Sequence, residues 1–283
     1  MECTVLHNGE VARGHHRLTL ELPAEFVPAL PGQFYSVRCG DSSVPLLRRP
    51  FSVHRLVEGK RVELLYRVVG KGTAWLAERR AQDVLDVLGP LGNGFTLEKD
   101  ITHAVLVARG IGIAPLYALG EAFGRRTPSV RLTVLMGARL KERLFYREEL
   151  EALGSVHWYT DDGSEGFHGR AAELLHHLLV SGVLPPHCTL YACGPDSMLR
   201  DLADLASKHG LRGQVALETH MGCGFGACLS CAVPLKPQNL CRNTRWTKPA
   251  LQWSEDGQAV YSLVCKDGPV YDLQEVDWDE WLV

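Results

Sequence analysis

Three cysteines in the segment "MGCGFGACLSC", Cys223, Cys228 and Cys231, follow a C-x4-C-x2-C spacing. Thiolates at that spacing, completed by a more distant fourth, are the ligand frame of a plant-type [2Fe–2S] cluster, in which four sulfurs hold two irons. The neighbours Gly222, Gly224, Gly226 and Ala227 are small. Backbone N–H groups can therefore turn inward toward the sulfurs without side chains in the way. Zinc is the competing metal, but zinc sites favour tight C-x2-C pairs and the segment has one.

Two further stretches suit phosphate. In "RRPFS", Arg48 to Ser52, an arginine offers a planar fork to phosphate oxygens, and "LYRVVGKGTA", Leu65 to Ala74, has a Gly-x-Gly-Thr turn opening a short helix. Together they could hold one diphosphate. "VARGIGIAPLYAL", Val107 to Leu119, reads as a strand, a glycine turn with Gly110 and Gly112, and a helix whose first amides face an anion. A similar turn, Cys193-Gly194-Pro195, follows "CTLYAC". Taken alone, Cys193 is more plainly a small buried filler.

The elements that must position these residues fall into three blocks. Residues 1–100 carry short alternating runs, "HRLTLEL", "QFYSVRC", "RPFSVHRL", "RVELLYRVV" and "DVLDVLGP", with one helical candidate, "TAWLAERR". They predict a small β-barrel. Residues 101–214 alternate buried-strand runs ("HAVLVA", "VRLTVLMG", "VHWYTD", "CTLYAC", "GQVALE") with helical segments ("APLYALGEAFG", "REELEALG", "AAELLHHLLV", "DSMLRDLADLASKHG"). Strand, helix, strand at that interval predicts a parallel sheet. Residues 215–283 lose periodicity and form the cysteine-bearing block. The fold class expected is multidomain, β followed by α/β, with a small C-terminal cluster domain.

Composition sets the outer limits. A chain of 283 residues with 46% hydrophobic residues can build two or three cores. No apolar run reaches membrane-helix length, and the N-terminus lacks the pattern of an export signal, so a cytoplasmic location is expected. A net charge of -3 without a basic block argues against nucleic acid. Nine cysteines, an odd number in a long chain, favour metal ligation over disulfides. His15, His16, His176 and His177 read as solvated or packed, and no general base stands out.

The order of these parts resembles the ferredoxin-reductase superfamily, in which a barrel holds FAD and a second domain receives a nicotinamide nucleotide. The resemblance implies that Arg49 faces the FAD pyrophosphate and Ser52 the isoalloxazine, with Pro50, Phe51, Tyr66, Arg67, Val68, Gly72 and Thr73 completing the flavin site. It places Gly110, Gly112, Cys193, Gly194 and Pro195 at the nucleotide. Relatives usually have glycine where Arg109 stands here, and Arg139, after the second strand of the sheet, could meet a 2′-phosphate.

"MGCGFGACLSC" with the later "CKDGPVY" is similar to the family of electron-transfer subunits of class 1B dihydroorotate dehydrogenase, along essentially the whole chain. The family implies a relay for pyrimidine biosynthesis: dihydroorotate reduces FMN in a partner catalytic subunit, and electrons cross [2Fe–2S] to FAD and then NAD+. The assembly implied is a heterotetramer of two of each subunit. Related subunits serve sulfhydrogenases, sulfite reductase and NADH-linked ferredoxin:NADP oxidoreductase, and a stand-alone NADH-dependent reductase is a further alternative. For the fourth ligand, spacing favours Cys241. The resemblance of "VCKDGPVY" to the family's closing segment selects Cys265, with residues 236–260 as an insertion.

Overall fold

The computed structural model describes residues 1–40, 44–57, 60–98, 100–237, 252–253 and 260–281. Six strands close an antiparallel barrel: β1 (Glu2–Ala12), β2 (His15–Glu21), β3 (Phe34–Val37), β4 (Arg49–Val57), β5 (Arg61–Arg67) and β6 (Val84–Leu91). Side chains alternate across each strand, so one face fills the barrel. Leu18 pairs with Leu64 and Leu20 with Val62, and all four are fully buried. The first strand gave no sequence signal because only Cys3 and Val5 of its eleven residues are buried. The helix α1 (Lys71–Ala77) follows β5.

The next elements are β7 (His103–Arg109), α2 (Ile113–Arg126), β8 (Arg131–Ala138), α3 (Arg147–Glu151), β9 (Ser155–Thr160), β10 (Phe167–His168), α4 (Ala171–Val180), β11 (Thr189–Cys193), α5 (Asp196–His209) and β12 (Arg212–Ala216). Strands β7 to β12 run parallel to one another. β7 sits between β8 and β11, so the strand order reverses there. Crevices open outside the carboxyl ends of strands at such a point. The first six residues of β7 are buried, as both faces of a parallel sheet require.

The C-terminal block has β13 (Ala232–Leu235), β14 (Gln252–Trp253) and β15 (Val260–Leu263) in one small sheet. The chain then returns to the large sheet. β16 (Val270–Asp272) pairs antiparallel with β12, an addition that three residues could not signal in sequence. A short helix, α6 (Trp278–Trp281), follows. Among the described residues no helix is long and apolar enough to cross a membrane.

Barrel and sheet dock through β4 and α2. His54 is fully buried, with Nδ1 3.3 Å from the carbonyl of Ala114 and its ring 4.8 Å from that of Tyr117. Burial pushes its imidazole down to about 3, so it packs as a neutral ring. Beside it Arg55 pairs with Glu121 at 2.8 Å. This contact fixes β4, which carries Arg49 to Ser52, against the helix that begins after Gly112.

Candidate functional site

A cleft of about 320 Å³ opens between barrel and sheet. Arg49, Pro50, Phe51 and Ser52 of β4, Tyr66 and Arg67 of β5, and Thr73 of α1 line it together. The Phe51 and Tyr66 rings meet edge to face at 5.6 Å, and Tyr66 donates its hydroxyl to Asn8 Oδ1 at 2.9 Å. These two bonds of geometry hold an aromatic wall. The Thr73 hydroxyl accepts the amides of Val69 at 2.9 Å and Gly70 at 3.2 Å, pinning the turn into α1. Gly72 lies under Arg49: a Cβ on it would be 3.3 Å from Arg49 Nε. The arginine thus stands over the opening turn of α1, whose first amides have no intrahelical acceptor.

Val68 is placed differently from its neighbours. Its amide bonds to the Gly14 carbonyl at 2.9 Å and its side chain packs toward the barrel core, while Val69 lines the cleft. The sheet supplies Ile111, Ala114, Leu217, Glu218, Thr219, Met221 and Pro269 to the opposite wall. Sequence pattern did not single out Leu217, Glu218 and Thr219, because they follow the end of β12, where periodicity stops. The Thr219 hydroxyl is buried and has no hydrogen-bond partner in the chain. A buried hydroxyl needs one, so a bound polar group fits this wall.

A second cleft, of about 570 Å³, joins the first, and Arg67, Ile111 and Glu218 line both. Its floor is the meeting of two turns. A Cβ on Gly112 would fall 2.1 Å from the Cys193 carbonyl oxygen, so only glycine lets the β7 and β11 turns touch. Gly110 takes the left-handed φ of 57° that aims this turn. Gly110, Gly112, Gly194 and Pro195 all line the cleft; Cys193 lies just beneath, with Sγ 4.0 Å from Glu218 Oε1. Burial, with help from Asp196, pushes the Glu218 carboxyl up against the opposing pull of Arg67. Arg109 lines the cleft at the end of β7 and is ion-paired with Asp161. His15, buried against Phe145 at 4.7 Å between ring centres, lines it too.

The cysteine loop packs beside the first cleft. A Cβ on Gly224 would touch Ser36 of β3 and Leu91 of β6, and Met221 and Pro269 on either side line the first cleft. Gly224 and Gly226 have φ of 86° and 90°. Their turns bring the amides of Ala227 and Cys228 onto Cys223 Sγ at 3.2 and 3.4 Å. Burial opposes ionisation of Cys223, but the amides of Phe225, Cys228 and Ala227 outweigh it and bring the thiol down to about 6. Cys231 is also lowered to about 6, first by its bond with the Cys265 side chain. Among the described residues no three His, Cys, Asp or Glu side chains are gathered closely enough to hold a metal ion. The Cys228 amide meets Cys223 Sγ and the Cys265 amide meets Cys231 Sγ, each at 3.4 Å, so the four cysteines stand as two neighbouring pairs. Two irons at two thiolates each suit that arrangement. Cys241 lies outside the described residues.

Comparison with known proteins matches residues 106–204 to an oxidoreductase NAD-binding domain and residues 218–245 to the iron-sulfur cluster binding domain of dihydroorotate dehydrogenase B. The chain is 36% identical over 276 residues to the electron transfer subunit of dihydroorotate dehydrogenase B (NAD(+)) from Bacillus caldolyticus, covering 96% of each chain. The corresponding subunit of Desulforamulus reducens is 37% identical, over 89% of this chain and 88% of that one. Among solved structures, an NADH-dependent reduced ferredoxin-NADP oxidoreductase studied for flavin-based electron bifurcation superposes with a TM-score of 0.80 at 27% identity, over 99% of this chain and 91% of that one. A ferredoxin NADP+ reductase from Neisseria gonorrhoeae, with bound FAD and NADP, shares the fold at a TM-score of 0.62 and 19% identity, over 74% of this chain and 91% of that one.

Proposed function

The chain belongs to the family of electron transfer subunits of dihydroorotate dehydrogenase B, and we propose that it relays electrons taken from dihydroorotate by a separate FMN-bearing catalytic subunit to NAD+. It is an oxidoreductase subunit whose cofactors are FAD, a [2Fe–2S] cluster and NAD. One observation carries the reading: the thiol loop, the cleft between barrel and sheet and the nucleotide cleft are contiguous, through Met221 and Pro269 on one side and Arg67, Ile111 and Glu218 on the other.

FAD supplies the junction, because a flavin exchanges two electrons with a nicotinamide and single electrons with a cluster. The chain's residues would do the holding. Arg49 and the first turn of α1 neutralise the diphosphate, Ser52 and Thr219 offer hydroxyls, and Phe51 with Tyr66 excludes water on one side. Gly110, Gly112, Gly194 and Pro195 admit the nucleotide backbone. Cys223, Cys228, Cys231 and Cys265 hold the two irons. None of these groups is placed to abstract a proton from a substrate, so oxidation of dihydroorotate belongs to the partner. A heterotetramer of two copies of each subunit, working in the cytoplasm in pyrimidine biosynthesis, completes the proposal.

Its test is purification of the native complex: an FMN protein that oxidises dihydroorotate should accompany this chain. The 27% identity and near-complete overlap with the bifurcating reductase subunit favour a second reading, service in an NADH-linked ferredoxin:NADP oxidoreductase. Recovery of a ferredoxin-reducing flavoprotein instead would select it.

A further inference from the structure

The nucleotide cleft is lined by groups of both signs. Glu218 and Asp196 line it, with Arg67 close to Glu218 where it joins the flavin cleft. Ala138, Arg139 and Arg143, at the end of β8 and in the turn after it, line it as well. Glu142 lies between the arginines in sequence but does not line the cleft. Arg109, on the same cleft, is tied to Asp161. Among the described residues, Arg139 and Arg143 are exposed and form no ion pair.

The end of the second parallel strand is where the adenosine ribose of a dinucleotide comes to lie. A carboxylate there accepts a bond from the 2′-hydroxyl and repels a 2′-phosphate, whereas an arginine accommodates the phosphate. β8 ends in Gly137 and Ala138 and passes directly to Arg139, with no acidic residue at that position. Two unpaired guanidinium groups suit a phosphate monoester carrying close to two negative charges.

We propose that the cleft takes a 2′-phosphorylated nicotinamide dinucleotide, NADP(H), as a second substrate beside NAD(H), with Arg139 and Arg143 reading the 2′-phosphate. This rests on the nucleotide assignment made above. The chemistry would be unchanged: a hydride, two electrons with one proton, would pass from the reduced flavin to the oxidised nicotinamide, and the flavin's remaining proton would go to solvent. The 2′-phosphate takes no part, so the discrimination is one of binding.

The test uses redox-inert probes on the full chain purified with its flavin: calorimetric titration with ADP-ribose and with its 2′-phosphorylated form. The unaltered chain should bind the phosphorylated probe at least as tightly as the plain one. The double variant Arg139→Ala, Arg143→Ala should weaken the phosphorylated probe by about tenfold or more, the size of a lost charge-assisted contact, while leaving ADP-ribose within about threefold. Retained ADP-ribose binding also shows that the variant is folded. Weaker binding of the phosphorylated probe by the unaltered chain, or an unchanged ratio in the double variant, overturns the inference alone. If neither probe binds the unaltered chain, the nucleotide assignment fails and the inference falls with it.

Discussion

Cys265 donates its amide to Cys231 Sγ over 3.4 Å, although 34 residues separate the two. The contact exists because Ala232 pairs with Leu263 at the end of the β13–β15 ladder, which returns the chain to its starting point. The chain between β13 and β15 therefore joins two strands that are already paired. Lengthening such a loop adds closure entropy only logarithmically, so a distant ligand is as accessible as a near one.

Cys265→Ser should therefore lose or destabilise the cluster while FAD and NADH-to-dye activity survive, and Cys241→Ser should keep a normal cluster spectrum. Absorbance and electron paramagnetic resonance read both. The reverse pattern would place the ligand on the insertion.

Arg49→Ala should release FAD more readily than it unfolds the chain, because it removes a diphosphate contact worth roughly 1.5 to 3 kcal/mol. Flavin content after gel filtration, beside the melting temperature, measures the difference. Full flavin retention in the folded variant contradicts the assignment.

Asn93 fastens the closing cysteine segment to the barrel, donating Nδ2 to the carbonyls of Lys266 at 3.1 Å and Asp267 at 2.8 Å. Asn93→Ala leaves those carbonyls without this donor, at a cost of about 1 to 3 kcal/mol. Chelator should bleach the cluster faster while flavin stays bound. An unchanged bleaching rate would show that the staple does not matter to the cluster.

Glu218 gives a pH dependence of definite sign. Its folded value lies above the ordinary 4.5, chiefly through burial. Its contribution to stability is present below the ordinary value and is lost as pH rises through the folded value. The melting temperature of the unaltered chain minus that of Glu218→Gln should fall as pH rises from the ordinary carboxylate value through the folded one. A difference independent of pH would mean that the carboxyl is ordinary.

Long, uniformly apolar runs such as "HAVLVA" and amphipathic ones such as "DSMLRDLADLASKHG" were legible in sequence, because period and burial coincide in them. The glycine turns and thiol spacing were legible for a different reason: backbone conformation and metal ligation restrict residue type. β1 and β16 were not legible, one being mostly half-exposed and the other three residues long. Glu218, Thr219 and His15 escaped as cleft residues because their placement depends on how the barrel docks on the sheet. That docking rests on contacts such as His54 against Ala114, sixty positions apart in the chain.

The most direct test of the relay is to combine this chain, loaded with FAD and cluster, with its cognate FMN subunit and follow NADH formation from dihydroorotate and NAD+. The account predicts no turnover by this chain alone and coupled NADH formation by the complex, abolished by Cys265→Ser. Oxidation of dihydroorotate by the isolated chain, or a fully loaded complex that oxidises dihydroorotate without reducing NAD+, would contradict it.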